Sequence, residues 1–246
     1  MTARVALVTG GSGAIGAATA RALAADGHRL AVTFRSNRDA ATATCQEIEG
    51  LGGEAIAVPW TGTEAATAIL FDEVQERLGE VEVLVNVAGI RRDAPLPMMS
   101  VTAWQEVLAT DLTGVFLTMR HASRGLVRRR WGRIVNVGSV ASTSGIPGQA
   151  AYAAAKAGLI GLTRTAAREL AGRGTTVNLV AAGAIRTEML ASITTKAQET
   201  FLERTPVGRF GTVDEVAAAI RFLCSDDAGF ITGAVLPVDG GAGMGW

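Results

Sequence analysis

Arg4-Val5-Ala6-Leu7-Val8-Thr9-Gly10-Gly11-Ser12-Gly13-Ala14-Ile15-Gly16 is the stretch on which the fold turns. Residues 4–8 form a short β-branched run that stops at a cluster of glycines, and residues 17–26 are rich in strong helix formers. Strand, glycine loop and helix therefore follow one another. The alternation repeats downstream, with strands over residues 28–34, 54–58, 81–86, 132–137, 176–180 and 235–238. Helices over 38–51, 64–78, 102–129, 150–171 and 214–224 lie between or after them. Repeated strand–helix units require a parallel sheet with helices on both faces. No linker or composition shift divides the 246 residues, and the period is that of βα units rather than of a solenoid, so one domain is expected. From residue 182 to 211 the pattern loosens, with helical pieces around 189–203. A long irregular excursion is uncommon in a compact domain, which makes residues 184–211 a candidate lid over a substrate.

The composition narrows the function classes. Hydrophobic residues make up 48% of the chain and charged residues 19%, enough to bury roughly 70% of the unfolded surface by size scaling. Acidic and basic residues balance at 23 each, so nothing global favours a nucleic acid or an anionic membrane as partner. Cys45 and Cys224 are too few for a disulfide framework or a zinc cluster and read as reduced structural thiols, which fits a cytosolic home. No metal site is expected. The N-terminal run, Arg4 and then residues 5–8 before glycines intervene, is no signal peptide, and no segment has the sustained apolar character of a membrane span.

Gly10, Ala14 and Gly16, between strand and helix, let backbone amides approach an anion held at the positive end of the helix. A dinucleotide pyrophosphate is the obvious anion, although the spacing differs from G-x-G-x-x-G. An acidic residue at the end of the second strand would hold ribose hydroxyls and repel a 2′-phosphate. The strand ends instead in Phe34-Arg35-Ser36. Arg35 can fork onto a phosphate with help from Ser36, which favours NADP over NAD.

A second set of polar groups lies farther along. Ser139 follows the apolar run 134–137 and Gly138, and so stands at the carboxyl end of a strand, the edge at which open α/β sheets bind ligands. Tyr152 and Lys156 are four residues apart on the Ala-rich helix over 150–170, hence one turn apart on one face. A free phenol has a pKa near 10, and an ammonium within about 4–6 Å lowers it by roughly 1–3 units.

Taken with residues 9–16 and Asn86-Val87-Ala88-Gly89 after the fourth strand, these residues make the chain resemble the short-chain dehydrogenase/reductase family over essentially its full length. Within that family it is most similar to the 3-oxoacyl-acyl-carrier-protein reductases. Gly89-Ile90-Arg91-Arg92-Asp93, Gly148-Gln149-Ala150-Ala151-Tyr152-Ala153-Ala154-Ala155-Lys156-Ala157-Gly158-Leu159 and Pro206-Val207-Gly208-Arg209 carry that likeness. The resemblance implies a single-domain, doubly wound, Rossmann-like parallel sheet with a lid after the sixth strand. It implies NADPH-dependent reduction of a β-ketoacyl thioester, with Tyr152 the proton donor, Ser139 holding the carbonyl oxygen, and Lys156 tuning the phenol and holding the nicotinamide ribose. The cofactor set it implies is Gly10, Ser12, Gly13, Ala14, Ile15, Gly16, Arg35, Ser36, Thr61, Asn86, Ala88, Gly89, Tyr152, Lys156, Gly183, Ile185 and Thr187. Arg130 and Arg173 take the positions of a patch for an acidic acyl carrier protein, with helix capping and solubility as the plainer account of Arg128-Arg129-Arg130 and Arg173. The family commonly forms homotetramers.

The chain also departs from the family. The catalytic asparagine falls at Asp111, an aspartate near the adenine at Thr61, the second asparagine of Asn-Asn-Ala-Gly at Val87, and a basic residue of the glycine loop at Gly13; Pro-Gly after the sixth strand is Ala182-Gly183. An ionised carboxylate only accepts hydrogen bonds, so Asp111 can pair with Lys156 and implies an altered pH profile. Two alternatives stay open from sequence: a reductase of a CoA thioester, sugar or simple alcohol, and a catalytically weak nucleotide-binding sensor or scaffold.

Overall fold

The computed structural model describes residues 3–191 and 194–244. Residues 192–193, inside the stretch expected to hold helical pieces and a lid, lie outside the described residues.

Seven parallel strands form one sheet in the order β3-β2-β1-β4-β5-β6-β7. They are β1 (Val5–Thr9), β2 (Arg29–Phe34), β3 (Ala55–Pro59), β4 (Val81–Asn86), β5 (Gly132–Ser139), β6 (Thr175–Ala182) and β7 (Val235–Val238). The strands are β-branched and apolar on both sides, as a sheet covered on both faces demands. Successive residues feed opposite cores. Ala6, Val8, Val83, Val85, Val135 and Val137 pack in one apolar cluster, whereas Val5, Leu7, Val81, Leu84, Ile134 and Leu179 pack in the other. The first cluster is closed by α1 (Ala14–Ala24), α2 (Arg38–Gly50) and α10 (Val213–Cys224). The second is closed by α3 (Glu64–Arg77), α5 (Gly114–Arg129) and α7 (Ala150–Leu170). Cys45 and Cys224 are free and buried in the first, where burial pushes their thiols up to about 11 and about 12.

The helical region expected over 102–129 is not one regular helix. α4 (Val101–Leu108) passes into a π-helical turn, Ala109–Thr113, before α5 begins. β5 is followed by the short α6 (Ala141–Ser144), and the loosened stretch contains α8 (Glu188–Ala191) and α9 (Thr195–Glu203). The two ends of that stretch are tied together. Arg186 N–H donates to the Gly211 carbonyl at 2.9 Å, and Gly211 N–H to the Ala184 carbonyl at 3.0 Å.

The strand order reverses between β1 and β4, so the loops that leave them part to opposite faces and open a crevice at the carboxyl edge. The loops after these two strands touch at its base: a Cβ on Gly10, which has φ +69°, would fall 2.8 Å from Ala88 Cα. β5 and β6 pair over their whole lengths, Gly132 with Thr175 through Ser139 with Ala182, and bring Ser139 to the same edge.

Candidate active site

Ser139, Tyr152 and Lys156 line one cleft with the end of β6. The turn into α6 holds the serine, whose Oγ accepts the Ala141 N–H at 3.2 Å while its carbonyl accepts Ser142 Oγ at 2.6 Å. Tyr152 is half-buried against an apolar cluster of Val107, Ala151 and Ala155, which α4 and α7 form where they meet. Lys156 is buried one turn farther along. Its Nζ stands 5.5 Å from the centre of the Tyr152 ring, donates to the Val137 carbonyl at 3.1 Å and lies 3.3 Å from Asp111 Oδ2.

Asp111 sits in the π-helical turn and is completely buried. Such turns carry an extra residue and recur at functional sites. Its Oδ1 accepts the Ile90 N–H at 2.8 Å; its Oδ2 faces Lys156 at ion-pair distance without the alignment of a hydrogen bond. Both oxygens therefore face donors. An asparagine in this pose would have to turn its NH2 toward either the Ile90 N–H or the Lys156 ammonium, whereas a carboxylate accepts from both. Burial raises the Asp111 carboxyl above the ordinary carboxylate range, against the opposing influence of Lys156 and the Ile90 N–H. Burial alone would lower Lys156, but the negative field of Asp111 leaves it raised. The loop after β4 passes over this pair only because residue 89 is glycine: a Cβ there would fall 2.7 Å from Asp111 Oδ2.

The N-terminus of α1 opens onto the same crevice. Asn37, Thr63, Ser100, Thr194 and Thr212 each cap a helix with a side chain, yet α1 begins at Gly13 with no side-chain cap and no acidic residue in its first turn. Its leading amides are left for an anion. The loop before it is drawn tight, since a Cβ on Gly16 would fall 2.2 Å from the Gly10 carbonyl oxygen.

A family model described as Enoyl-(Acyl carrier protein) reductase matches residues 10–243. The chain belongs to the short-chain dehydrogenase/reductase family. It is 46% identical over 246 residues to a 3-oxoacyl-[acyl-carrier-protein] reductase of Synechocystis sp., an alignment that covers 99% of this chain and 98% of the relative. It is 46% identical to the 3-oxoacyl-[acyl-carrier-protein] reductase MabA of Mycobacterium avium, covering 98% and 91%. It is 41% identical to the 3-oxoacyl-[acyl-carrier-protein] reductase FabG of Staphylococcus aureus, covering 97% and 98%.

Membership of the short-chain dehydrogenase/reductases implies an oxidoreductase with a nicotinamide cofactor. The uncapped α1 and the close glycine turn fit a dinucleotide at Gly10, Ser12, Gly13, Ala14, Ile15 and Gly16. Arg35 and Ser36 stand exposed where β2 ends, with no side-chain partner among the described residues. Thr61 is exposed after β3, its hydroxyl 3.4 Å from that of Thr63. Gly183, Ile185 and Thr187 line the cleft beyond β6. Gly183 has a structural reason to be glycine, because a Cβ would fall 2.6 Å from Asp239 Cα. Thr187 Oγ1 donates to the Ile185 carbonyl at 3.3 Å and accepts the Leu190 N–H at 3.4 Å.

Asn86 is anchored from beneath the site. Its side chain turns away from the crevice into the protein, donating to Asn136 Oδ1 at 2.9 Å and accepting from Thr118 Oγ1 at 2.7 Å, while Asn136 Nδ2 donates to Thr163 Oγ1 at 2.9 Å. Its amide braces β4 and β5 against α5 and α7 beneath the site, so only its main chain is left for a cofactor. Ala88 and Gly89 lie in the loop after β4, which Thr9 fastens in a role the motif itself does not show. Thr9 Oγ1 accepts the N–H groups of both Val87 at 3.0 Å and Ala88 at 3.2 Å, and Thr33 Oγ1 accepts the Gly10 N–H at 3.0 Å. A buried threonine at a strand end beside glycines was the available signal.

Arg130 and Arg173 are brought together, though not at the cleft. A Cβ on Gly174 would fall 2.2 Å from the Arg130 carbonyl oxygen, so the two chain segments touch at the amino ends of β5 and β6. Both arginines are exposed and have no side-chain partner among the described residues, whereas Arg128 and Arg129 pair with Glu80.

Proposed function

We propose that this chain reduces the 3-oxo group of a β-ketoacyl thioester borne by an acyl carrier protein, using NADPH, to give the β-hydroxyacyl thioester of fatty-acid or polyketide assembly in the cytoplasm. The observation that carries the proposal is the convergence of Ser139, Tyr152 and Lys156 beside the uncapped end of α1. The names of the three relatives support the substrate class.

The nicotinamide, when bound, supplies the hydride to the carbonyl carbon. Ser139 Oγ donates a hydrogen bond to the carbonyl oxygen and holds it in place. Tyr152 gives its phenolic proton to that oxygen as negative charge develops there. Lys156, immobilised between Asp111 and the Val137 carbonyl, stabilises the phenolate left behind and holds the cofactor ribose. Asp111 keeps Lys156 protonated and is the acceptor through which proton resupply is biased. Arg35 and Ser36 take the 2′-phosphate, with Thr61 nearer the adenine. Residues 184–211 act as the lid, with Met189, Leu190 and Phe201 giving the acyl chain an apolar wall. A single-domain unit of this kind assembles as a homotetramer. Arg130 and Arg173 dock the acidic carrier; the seven residue steps of β5 put them about 23 Å from Ser139, which suits delivery to the cleft of a neighbouring subunit.

NADPH oxidation across a carbonyl panel tests this proposal. Carrier-bound acetoacetate should be reduced with the highest kcat/KM, followed by acetoacetyl-CoA and then simple ketones. Nucleotide binding without turnover of any carbonyl would replace the enzyme with a sensor, and equal turnover of simple ketones would remove the thioester.

A further inference from the structure

The cleft contains a second cation besides Lys156. Arg91 lies in the loop after β4, lines the same cavity as Tyr152 and Ser139, and has a side chain only 18% exposed. Its loop is pinned at both ends: the Ile90 N–H is held by Asp111 at 2.8 Å, and the Ala94 N–H donates to the Gly148 carbonyl at 2.9 Å. Arg92 adds a brace from outside, reaching Glu106 at 2.9 Å and the Arg91 carbonyl at 3.0 Å. A long side chain on a mobile loop would sample many positions; this one starts from a fixed backbone.

The guanidinium is half engaged. Nε donates to Asp93 Oδ1 at 3.2 Å and Nη2 donates to Asp93 Oδ2, a fork-on-fork pair. Of the five N–H donors of an arginine, those on Nη1 have no partner among the described residues. Pairing with Asp93 offsets part of the charge but keeps the guanidinium protonated, so what Nη1 offers is a pair of strong, charge-assisted donors. That suits a carbonyl oxygen better than an anion, which Asp93 would repel.

A β-ketoacyl thioester has two carbonyls, two carbons apart. Ser139 and Tyr152 take the ketone, and the thioester carbonyl needs a donor of its own within the cleft. We propose that Arg91 Nη1 donates to the thioester carbonyl oxygen and thereby selects 1,3-dicarbonyl substrates over plain ketones. Arg91 is then a specificity-determining residue, and Asp93 orients its fork. The inference rests on the proposed thioester reduction and names how this cleft recognises that substrate.

The test compares kcat/KM for acetoacetyl-N-acetylcysteamine with that for 2-pentanone in the wild type and in Arg91→Ala, with NADPH fluorescence titration reporting that each protein is folded. A hydrogen bond from a charged donor corresponds to a selectivity ratio that falls roughly tenfold to a hundredfold in Arg91→Ala. Arg91→Lys, which keeps the charge but not the fork, should recover only part of it. An unchanged ratio in Arg91→Ala, with NADPH bound, would overturn the role of Arg91 and leave thioester reduction intact. A wild type that oxidises NADPH with 2-pentanone but not with the thioester would overturn the substrate class and Arg91's role together.

Discussion

Replacing Asp111 by asparagine exchanges one carboxylate oxygen for an NH2 where the Ile90 N–H and the Lys156 ammonium both need an acceptor. One donor is then left facing another in a fully buried place, which costs about 1–3 kcal/mol. Urea unfolding of Asp111→Asn should read that loss. The substitution also removes the negative field that raises Lys156. A folded-state value raised above the unfolded one gives stability that is fully present below the ordinary lysine value and is lost as pH rises through the folded one. Without Asp111 the folded value drops, so the alkaline limb of the kcat profile should move to lower pH. An unmoved alkaline limb would mean that Asp111 does not set the protonation of Lys156. The carboxylate itself was visible in the sequence as a departure. Lys156 was expected as its partner from the resemblance; the Ile90 N–H was not, because a backbone donor 21 residues away leaves no mark in the sequence.

At the scale of the elements, α10 shows what a local signal can specify. Thr212-Val213-Asp214-Glu215 is a capping box: Thr212 Oγ1 accepts the Glu215 N–H at 3.2 Å, and Glu215 Oε2 accepts the Thr212 N–H at 2.8 Å. Thr212→Ala should cost about 1 kcal/mol in thermal unfolding. Arg209 forks onto Glu215, and hydrogen bonding to Arg209 first, then to Thr212, lowers that carboxyl to about 2. A lowered folded-state value gives stability present above the unfolded value of 4.5 and lost as pH falls through about 2. Acid unfolding of Glu215→Gln should therefore lack that part of the loss, and a profile identical to wild type would discount the cap.

Strands were legible to within a residue or two because their periodic apolar runs are local. α1 was not, starting at Ala14 rather than residue 17. Gly16 reads as loop by propensity, yet it is helical and is glycine because the Gly10 carbonyl leaves no room for a Cβ. The π-helical turn at Ala109–Thr113 coincides with the weak helix formers Thr110, Asp111 and Thr113, but propensity does not tell a π turn from an α turn, so its type was not legible. The motif places Asn86 beside the cofactor loop, but the partners that fix its side chain, Asn136, Thr118 and Thr163, are distant in the chain and are not legible from it.

On the scale of the whole molecule, the sheet separates two groups of polar residues. Its carboxyl edge gathers the glycine loop, Ser139 and Lys156, and its amino edge gathers Arg130 and Arg173. Reversal of both arginines to glutamate should raise KM for carrier-bound acetoacetate by tenfold or more, on the order of the cost of like charges at an interface. A soluble ketoester should show a much smaller change, and equal changes on both substrates would remove the docking role. No helix among the described residues is long and apolar enough to cross a membrane.

The proposed reduction depends above all on Tyr152 as the proton donor in this cleft. Tyr152→Phe keeps the ring in its apolar seat beside Lys156 and removes only the hydroxyl. With acetoacetyl thioester as substrate, NADPH should still bind by fluorescence titration while kcat falls by roughly a hundredfold to ten-thousandfold, the usual contribution of a positioned proton donor. A kcat within about threefold of wild type, a change too small for the loss of such a donor, would rule Tyr152 out as the acid.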